Sequence, residues 1–341
     1  MSARTAPTTA ALGLAAVAVV TAGLAVGCGR VDRASTPTTR QTETTAVRIR
    51  TIRYTAHNGR RRLAYVLLPA WYGPDRHPPL PLVISPHGRG ANGRSNAAFF
   101  GNLPAAGGFA VVSPDGMGRS MKLFSYGYPG QVDDLARLPR VVERALPWLR
   151  IDHARIYALG SSMGGQEAAL LAARHPRLLA GAAVMDAITD LARRYRQLPA
   201  LPCGARCLRR FPGGYGRSLQ ANLRRETGGT PATEPAAYAV RSALAQARSI
   251  ASSGVRVQLW WSSRDRIVFD QRHQTAALYR ALRRLAPCAP VSAYRGEWQH
   301  SHELRASALL PFALADFGLL PRPSRALPAT VEHTPRPACA V

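Results

Sequence analysis

Between about residues 46 and 320 the chain alternates short apolar runs with stretches of helical spacing. That rhythm restricts it to an α/β class: a mostly parallel central sheet with helices on both faces. The first two runs, 47–54 and 62–68, alternate with a period of two and flank His57-Asn58-Gly59, which predicts a hairpin. Run 80–85 is nearly continuous and apolar, as in a strand buried on both faces. Further strands are expected at 109–113, 155–159, 179–185, 255–261 and 291–294. Helical spacing covers 132–150, 163–175, 271–285 and 302–317. Asp133 and Asp134 are expected to cap the first of these, Pro139 and Pro147 to kink or divide it, and Pro311 to kink the last. The stretch 189–248 breaks the rhythm. It holds Cys203, Cys207, Gly213-Gly214 and Gly228-Gly229, and it reads as an insertion after the sixth strand that shapes a substrate pocket.

Charge suggests a different partner at first. The 45 basic residues outnumber 19 acidic ones, for a formal net charge of +26. Such an excess is the usual footprint of a nucleic-acid binder. Yet only Lys122 is a lysine, and the arginines fall in scattered pairs such as Arg193-Arg194, with no regular interleaving of aromatics. Together with the many Ala, Gly and Pro, this pattern reads as the codon bias of a GC-rich genome, and no nucleic-acid partner is expected.

The N-terminus reads as an export signal. Arg4 precedes an apolar stretch, 10–26, that ends in Leu24-Ala25-Val26-Gly27-Cys28. The ending resembles a bacterial lipobox, which implies cleavage after residue 27, lipid on Cys28 and a membrane-anchored protein on the outer face of the cell membrane. An ordinary cleaved signal, with secretion, and an uncleaved anchor helix are the alternatives. Residues 28–45 read as a flexible tether and 321–341 as a Pro-rich tail. With Cys28 lipidated, four cysteines remain. Proximity favours Cys203–Cys207, leaving Cys288–Cys339 to pin the tail. Cys-Gly-Ala-Arg-Cys lacks a second ligand pair nearby, so no metal is expected there.

The chemistry is carried by Leu159-Gly160-Ser161-Ser162-Met163-Gly164-Gly165, a G-x-S-x-G between a predicted strand and a predicted helix. A strand turning sharply into a helix lifts the hydroxyl of Ser162 clear of the sheet, and the glycines prevent collisions at the turn. Ser85-Pro86-His87-Gly88-Arg89-Gly90 follows another strand. Its turn would aim backbone N–H groups at the nucleophile, so the amides of Met163 and Arg89 are the expected oxyanion hole. From these motifs the chain resembles the α/β-hydrolase fold over residues 46–320. In style it is similar to secreted esterases of the polyhydroxybutyrate-depolymerase and feruloyl-esterase type, and to prolyl-oligopeptidase catalytic domains.

The resemblance implies the order serine, acid, histidine. Asp265 follows the strand after the insertion in an Asp-x-x-Val layout similar to the family's acid loop; Asp186, after the sixth strand, is the runner-up, with Asp270 behind it. His300, in Gln299-His300-Ser301-His302, holds the family's histidine place, with His302 as the alternative. Trp260, Trp261 and Trp298 are either core or a stacking platform for an aromatic substrate. No Gly-rich phosphate loop with its Lys is present, and the triad needs no cofactor. The expectation is an exported serine hydrolase of carboxylic esters, acting on a small-molecule or polymer substrate. A prolyl-oligopeptidase-like peptidase is the second reading. A non-catalytic envelope protein that binds anionic polymers or lipids through its arginines is the third.

Overall fold

The structure, a computed structural model, describes residues 46–116 and 125–339. The expected signal segment, the tether and Cys28 lie outside the described residues. Among the described residues no helix is long and apolar enough to cross a membrane.

The hairpin forms as its alternation requires. β1 (Val47–Thr55) pairs antiparallel with β2 (Arg61–Pro69), and Gly59 supplies the positive φ of the turn. The sheet continues through β3 (Leu80–Ile84), β4 (Ala110–Pro114), β5 (Ile151–Ser161), β6 (Gly181–Met185), β7 (Arg256–Ser262), β8 (Val291–Gly296) and β9 (Glu332–Thr334). Their spatial order is β1-β2-β4-β3-β5-β6-β7-β8-β9. From β4 to β8 every neighbouring pair is parallel, while β2 meets β4, and β9 meets β8, antiparallel.

Side chains of the buried strands divide between two cores in the period of two that a pleated strand imposes. Leu82, Ile84, Ala182, Val184 and Leu259 face one core, with helices α3 (Pro129–Ala145), α4 (Met163–Arg174) and α10 (Thr275–Leu285). Val83, Ala183, Met185 and Trp260 face the other, with Ala97 of α1 (Gly93–Ala97) and Leu310 to Leu314 of α11 (Leu310–Asp316). The short α2 (Leu103–Gly107) leads into β4.

Four expectations change. Helix α3 starts at Pro129, in the first turn where a fixed φ and a missing N–H cost nothing, so Asp133 and Asp134 sit inside it and cap nothing. Asp134 instead takes the His57 amide at 2.7 Å and pairs with Arg137. Pro139 lies within the helix, which ends at Ala145, before Pro147. The last helix covers only Leu310–Asp316: Pro311 stands in its first turn and begins the helix where a kink was expected. The tail, poor in strand signals, contributes β9 as a sheet edge, and Cys288–Cys339 fastens it near β8.

The insertion between β6 and β7 is helical: α5 (Leu191–Gln197), α6 (Ala205–Arg210), α7 (Tyr215–Thr227), α8 (Pro235–Ala239) and α9 (Ala247–Ala251). It has its own apolar cluster, built from Leu191, Leu198, Leu219, Leu223 and Tyr238. Tyr126 and Val268 of the main domain complete that cluster. Cys203–Cys207 staples the segment internally.

Candidate active site

Ser162 is the residue between β5 and α4. Its φ of 60° and ψ of −124° lie in a region that costs an L residue about 1–3 kcal/mol. The glycines show what holds it there. A Cβ on Gly160 would stand 2.5 Å from the Gly164 carbonyl, and one on Gly164 would collide with the Pro86 carbonyl. A Cβ on Gly165 would stand 2.8 Å from Met185 O. The turn is therefore clamped between β3 and β6. The Ser162 amide donates to Met185 O at 2.9 Å, and Ser162 O accepts from Gln166 at 3.0 Å, the first helical bond. Met163 opens α4, so its N–H has no partner within the helix.

The turn after β3 runs beside this elbow: a Cβ on Gly88 would lie 3.8 Å from Ser162 Cβ. That brings the Arg89 segment to the serine. His87 is structural. Its Nδ1 donates to Gly88 O at 2.8 Å and its Nε2 accepts from the Gly116 amide at 2.8 Å, which shapes the turn.

Asp265 and His300 meet, Nδ1 to Oδ2, at 2.8 Å. With Nδ1–H donated to the carboxylate, Nε2 is the proton acceptor of the neutral ring. Asp265 is further held by the amides of Ile267 at 2.8 Å and Val268 at 2.9 Å, and by Gln271 at 3.3 Å. Burial raises its pKa, but the His300 hydrogen bond and charge and the two amides outweigh burial, and the carboxyl titrates below its ordinary range. Among the described residues no hydrogen bond joins Ser162 to His300. Their chain neighbours do touch: Ser161 Oγ lies 2.9 Å from Ser301 Oγ. The histidine loop is thus bonded to the elbow itself, and serine–histidine bonds that are absent in a free enzyme tighten when substrate binds.

The three alternatives lie elsewhere. Asp186 is fully buried; its Oδ1 accepts the Ser262 amide at 3.0 Å and its Oδ2 accepts Trp298 Nε1 at 2.8 Å. It makes no described hydrogen bond to His300. His302 donates its amide to Gln299 O at 2.9 Å and borders a 170 Å³ cavity with Trp298 and Glu303. Asp270 pairs with Arg193 at 2.7 Å and with His273 at 2.7 Å, an ion-pair cluster of the insertion's edge. One group of metal-capable side chains occurs among the described residues: Asp186, Asp265 and His300, whose ligand atoms lie within 4.8 Å of one another. Their contacts with each other and with backbone amides already account for that convergence.

Of the three tryptophans only Trp260 belongs to the fully buried core; Trp261 and Trp298 are half-buried. Trp260 is fully buried and stacks on Tyr294 at 3.6 Å, Trp261 packs near Tyr279, and Trp298 is committed to Asp186. Glu303 is the residue that sequence reasoning missed. It is 1% exposed and its Oε1 accepts the Ser161 hydroxyl at 2.7 Å. Burial drives its pKa up to about 7, against the opposing Ser161 bond. Burial, then the charges of Glu303 and Asp265, likewise raise Asp186 well above the carboxylate range. An acid three residues past His300 is a weak signal in sequence, since nothing local says that it folds back onto the serine before the nucleophile.

A strained serine at the carboxyl end of a central parallel strand, with a bonded acid and histidine on the loops after later strands, is the layout of an α/β hydrolase, and the fold is that one. Residues 81–201 match the family model described as the α/β-hydrolase fold. Comparison with curated proteins gave no match. Among solved structures, the chain is similar to a puromycin-hydrolyzing peptidase of Mycobacterium tuberculosis, with 20% identity and a TM-score of 0.58 over 83% of this chain and 41% of that one. It is also similar to carboxyl esterase 2 of the fungus Tuber melanosporum, with 18% identity and a TM-score of 0.56 over 80% of this chain and 84% of the other. S-formylglutathione hydrolase of Staphylococcus aureus matches with 14% identity and a TM-score of 0.52, over 75% and 92%.

Proposed function

We propose that the protein is a serine hydrolase that cleaves carboxylic esters through Ser162, His300 and Asp265. The observation that carries this reading is the 2.8 Å bond from His300 Nδ1 to Asp265 Oδ2, on a loop tied to the elbow through Ser161 and Ser301. In this mechanism His300 Nε2 takes the Ser162 proton as Oγ attacks the ester carbonyl. Asp265 holds the imidazole tautomer and stabilises the imidazolium. The amides of Met163 and Arg89 receive the oxyanion, each worth about 3–4 kcal/mol in the transition state. His300 then protonates the leaving alcohol, and water, deprotonated by the same nitrogen, releases the acid from the acyl-enzyme.

Export rests on the N-terminal pattern alone: a signal over residues 1–27, lipid on Cys28 and a tether over 28–45 would set the enzyme at the outer face of the cell membrane. There the arginine-rich surface would favour contact with anionic lipid or wall.

The second reading is a peptidase, favoured by the likeness to the puromycin-hydrolyzing enzyme. The chain spans less than half of that protein's length, and the comparably sized relatives are by name a carboxyl esterase and an S-formylglutathione hydrolase. A panel of 4-nitrophenyl esters of increasing acyl length, run beside 4-nitroanilide peptides, separates the two. The ester reading expects turnover of the short esters that Ser162→Ala removes; turnover confined to the anilides would replace it with the peptidase.

A further inference from the structure

Arg194, on α5, is 3% exposed, and its Nε and Nη1 are buried with no hydrogen-bond partner among the described residues. The neighbouring arginines are handled differently. Arg193 is paired with Asp270, and the buried Arg241 donates to the carbonyls of Ser125 and Glu226. What Arg194 has instead is the Phe269 ring, 5.7 Å from its guanidinium carbon.

Its surroundings belong to the site. The Phe269 ring follows Val268, whose amide is bonded to Asp265, so Arg194 lies on the acid's loop, where Asp265 and Arg89 are the charged groups that act on it. Asp265 is the acid of the triad, and Arg89 follows the turn beside the elbow and lies over the Tyr215 ring of α7 at 5.0 Å. Tyr126 receives Gln166 of α4 on its backbone carbonyl at 3.1 Å. Burial lowers the Arg194 pKa to about 10, so the group remains cationic at neutral pH. Asp265 cannot serve as its counter-ion, because His300, Gln271 and two amides already occupy both oxygens. A buried cation with two donors unused is costly unless a ligand brings the missing charge.

We propose that Arg194, with the Arg89 guanidinium in the same neighbourhood, binds an anionic carboxylate on the substrate, so that the preferred substrates are esters carrying a second, ionised acid group. The proposal rests on the reading of Ser162 as the nucleophile. The carboxylate can sit on the acyl part or on the leaving group, and the substrates below distinguish the two. It makes no bond in the reaction; Arg194 orients the ester over Ser162.

The test compares kcat/KM for matched pairs: 4-nitrophenyl hydrogen glutarate against 4-nitrophenyl pentanoate, and 4-acetoxybenzoate against its methyl ester. The wild type is expected to prefer the anionic member of at least one pair by about 10- to 100-fold, the range of a charge-assisted hydrogen bond. The pair that shows the preference locates the carboxylate. In Arg194→Gln that preference ratio should fall at least tenfold. A wild-type ratio near one in both pairs, or a ratio unchanged in Arg194→Gln, overturns the proposal. Calorimetric titration of Ser162→Ala with glutarate reads the same site without turnover and without altering Arg194: binding that weakens with added salt supports it, and no binding opposes it. Fluorophosphonate labelling keeps the two ideas apart. Labelling lost in Ser162→Ala together with no anion preference sinks the arginine site alone, whereas a wild type that never labels removes the nucleophile reading beneath it.

Discussion

The elbow around Ser162 and the inserted segment over it solve the placement of functional groups in different ways. At the elbow, backbone approaches backbone: Gly160, Gly164 and Gly165 leave no room for a Cβ against Gly164, Pro86 and Met185, and the strained serine is enforced by strands β3, β5 and β6. In the insertion, short helices pack Leu191, Leu198, Leu219 and Leu223 into a small cluster of their own. Tyr126 and Val268 tie that cluster to the main domain, and the Arg193–Asp270 ion pair adds a surface contact. A rigid junction in the sheet carries the reacting atom. A layer of short, separately packed helices borders it. The division teaches that changes at the junction should act on the chemical step, and changes in the insertion on selectivity and stability.

The comparison is tested most strongly at the acid. Asp265→Asn should lower kcat on a simple ester by roughly 10³–10⁴, the loss seen where the asparagine fixes the wrong histidine tautomer. Asp186→Asn, which keeps the shape of a residue bonded to Ser262 and Trp298, should cost far less. Equal losses in the two variants would make Asp186 a co-equal acid.

The disulfides compare the regions by stability. Cys288 and Cys339 close a span of 51 residues and pin β9 to the sheet, so replacing both with Ser should destabilise the fold by about 4 kcal/mol. Cys203 and Cys207 are only four apart inside the insertion, and their loss should cost about 2 kcal/mol. Chemical denaturation of the two double variants measures both. A larger loss from the insertion's bridge would mean that this segment organises the domain rather than covering it.

The third break is in pH. The pKa of Glu303 is raised to about 7 by burial, above its ordinary 4.5. A carboxyl raised in the folded state stabilises the fold below pH 4.5 and loses that contribution as pH rises through 7, in total about 3 kcal/mol. Glu303→Gln, which keeps the protonated shape, should therefore flatten the fall in melting temperature between pH 5 and 8. Glu167, which burial raises to about 8, acts in the same direction in both proteins, so the difference between them reads Glu303 together with the Asp186 carboxyl on which its charge acts. Parallel melting curves across that range would show that Glu303 is ionised in the folded state as it is in the unfolded one, against a raised pKa.

Much of the fold was legible because its signals are local. The period of two in β1 and β2, the apolar runs of β3 to β8 and the glycine spacing at Ser162 each depend on a few adjacent residues. The pairing of Asp265 with His300 was legible from chain order, once the strands around them were placed. What escaped depends on distant partners. Asp134 prefers His57 across the hairpin to a helix end, and β9 forms because β8 offers a free edge. The 302–309 stretch stays in turns while Glu303 reaches back to Ser161 and the Ala306 amide donates to Phe99 O at 2.7 Å. The unused donors of Arg194 have no sequence signature at all, in a chain where arginine is common everywhere.

The central claim is that Ser162 is the nucleophile, and covalent labelling tests it most directly. The protein would be treated with a fluorophosphonate probe and the adduct mapped by peptide mass spectrometry. The account predicts one adduct, on the peptide holding Gly160 to Gly165, that disappears in Ser162→Ala and slows sharply in His300→Ala. Labelling that persists in Ser162→Ala, or maps to another serine, would contradict it.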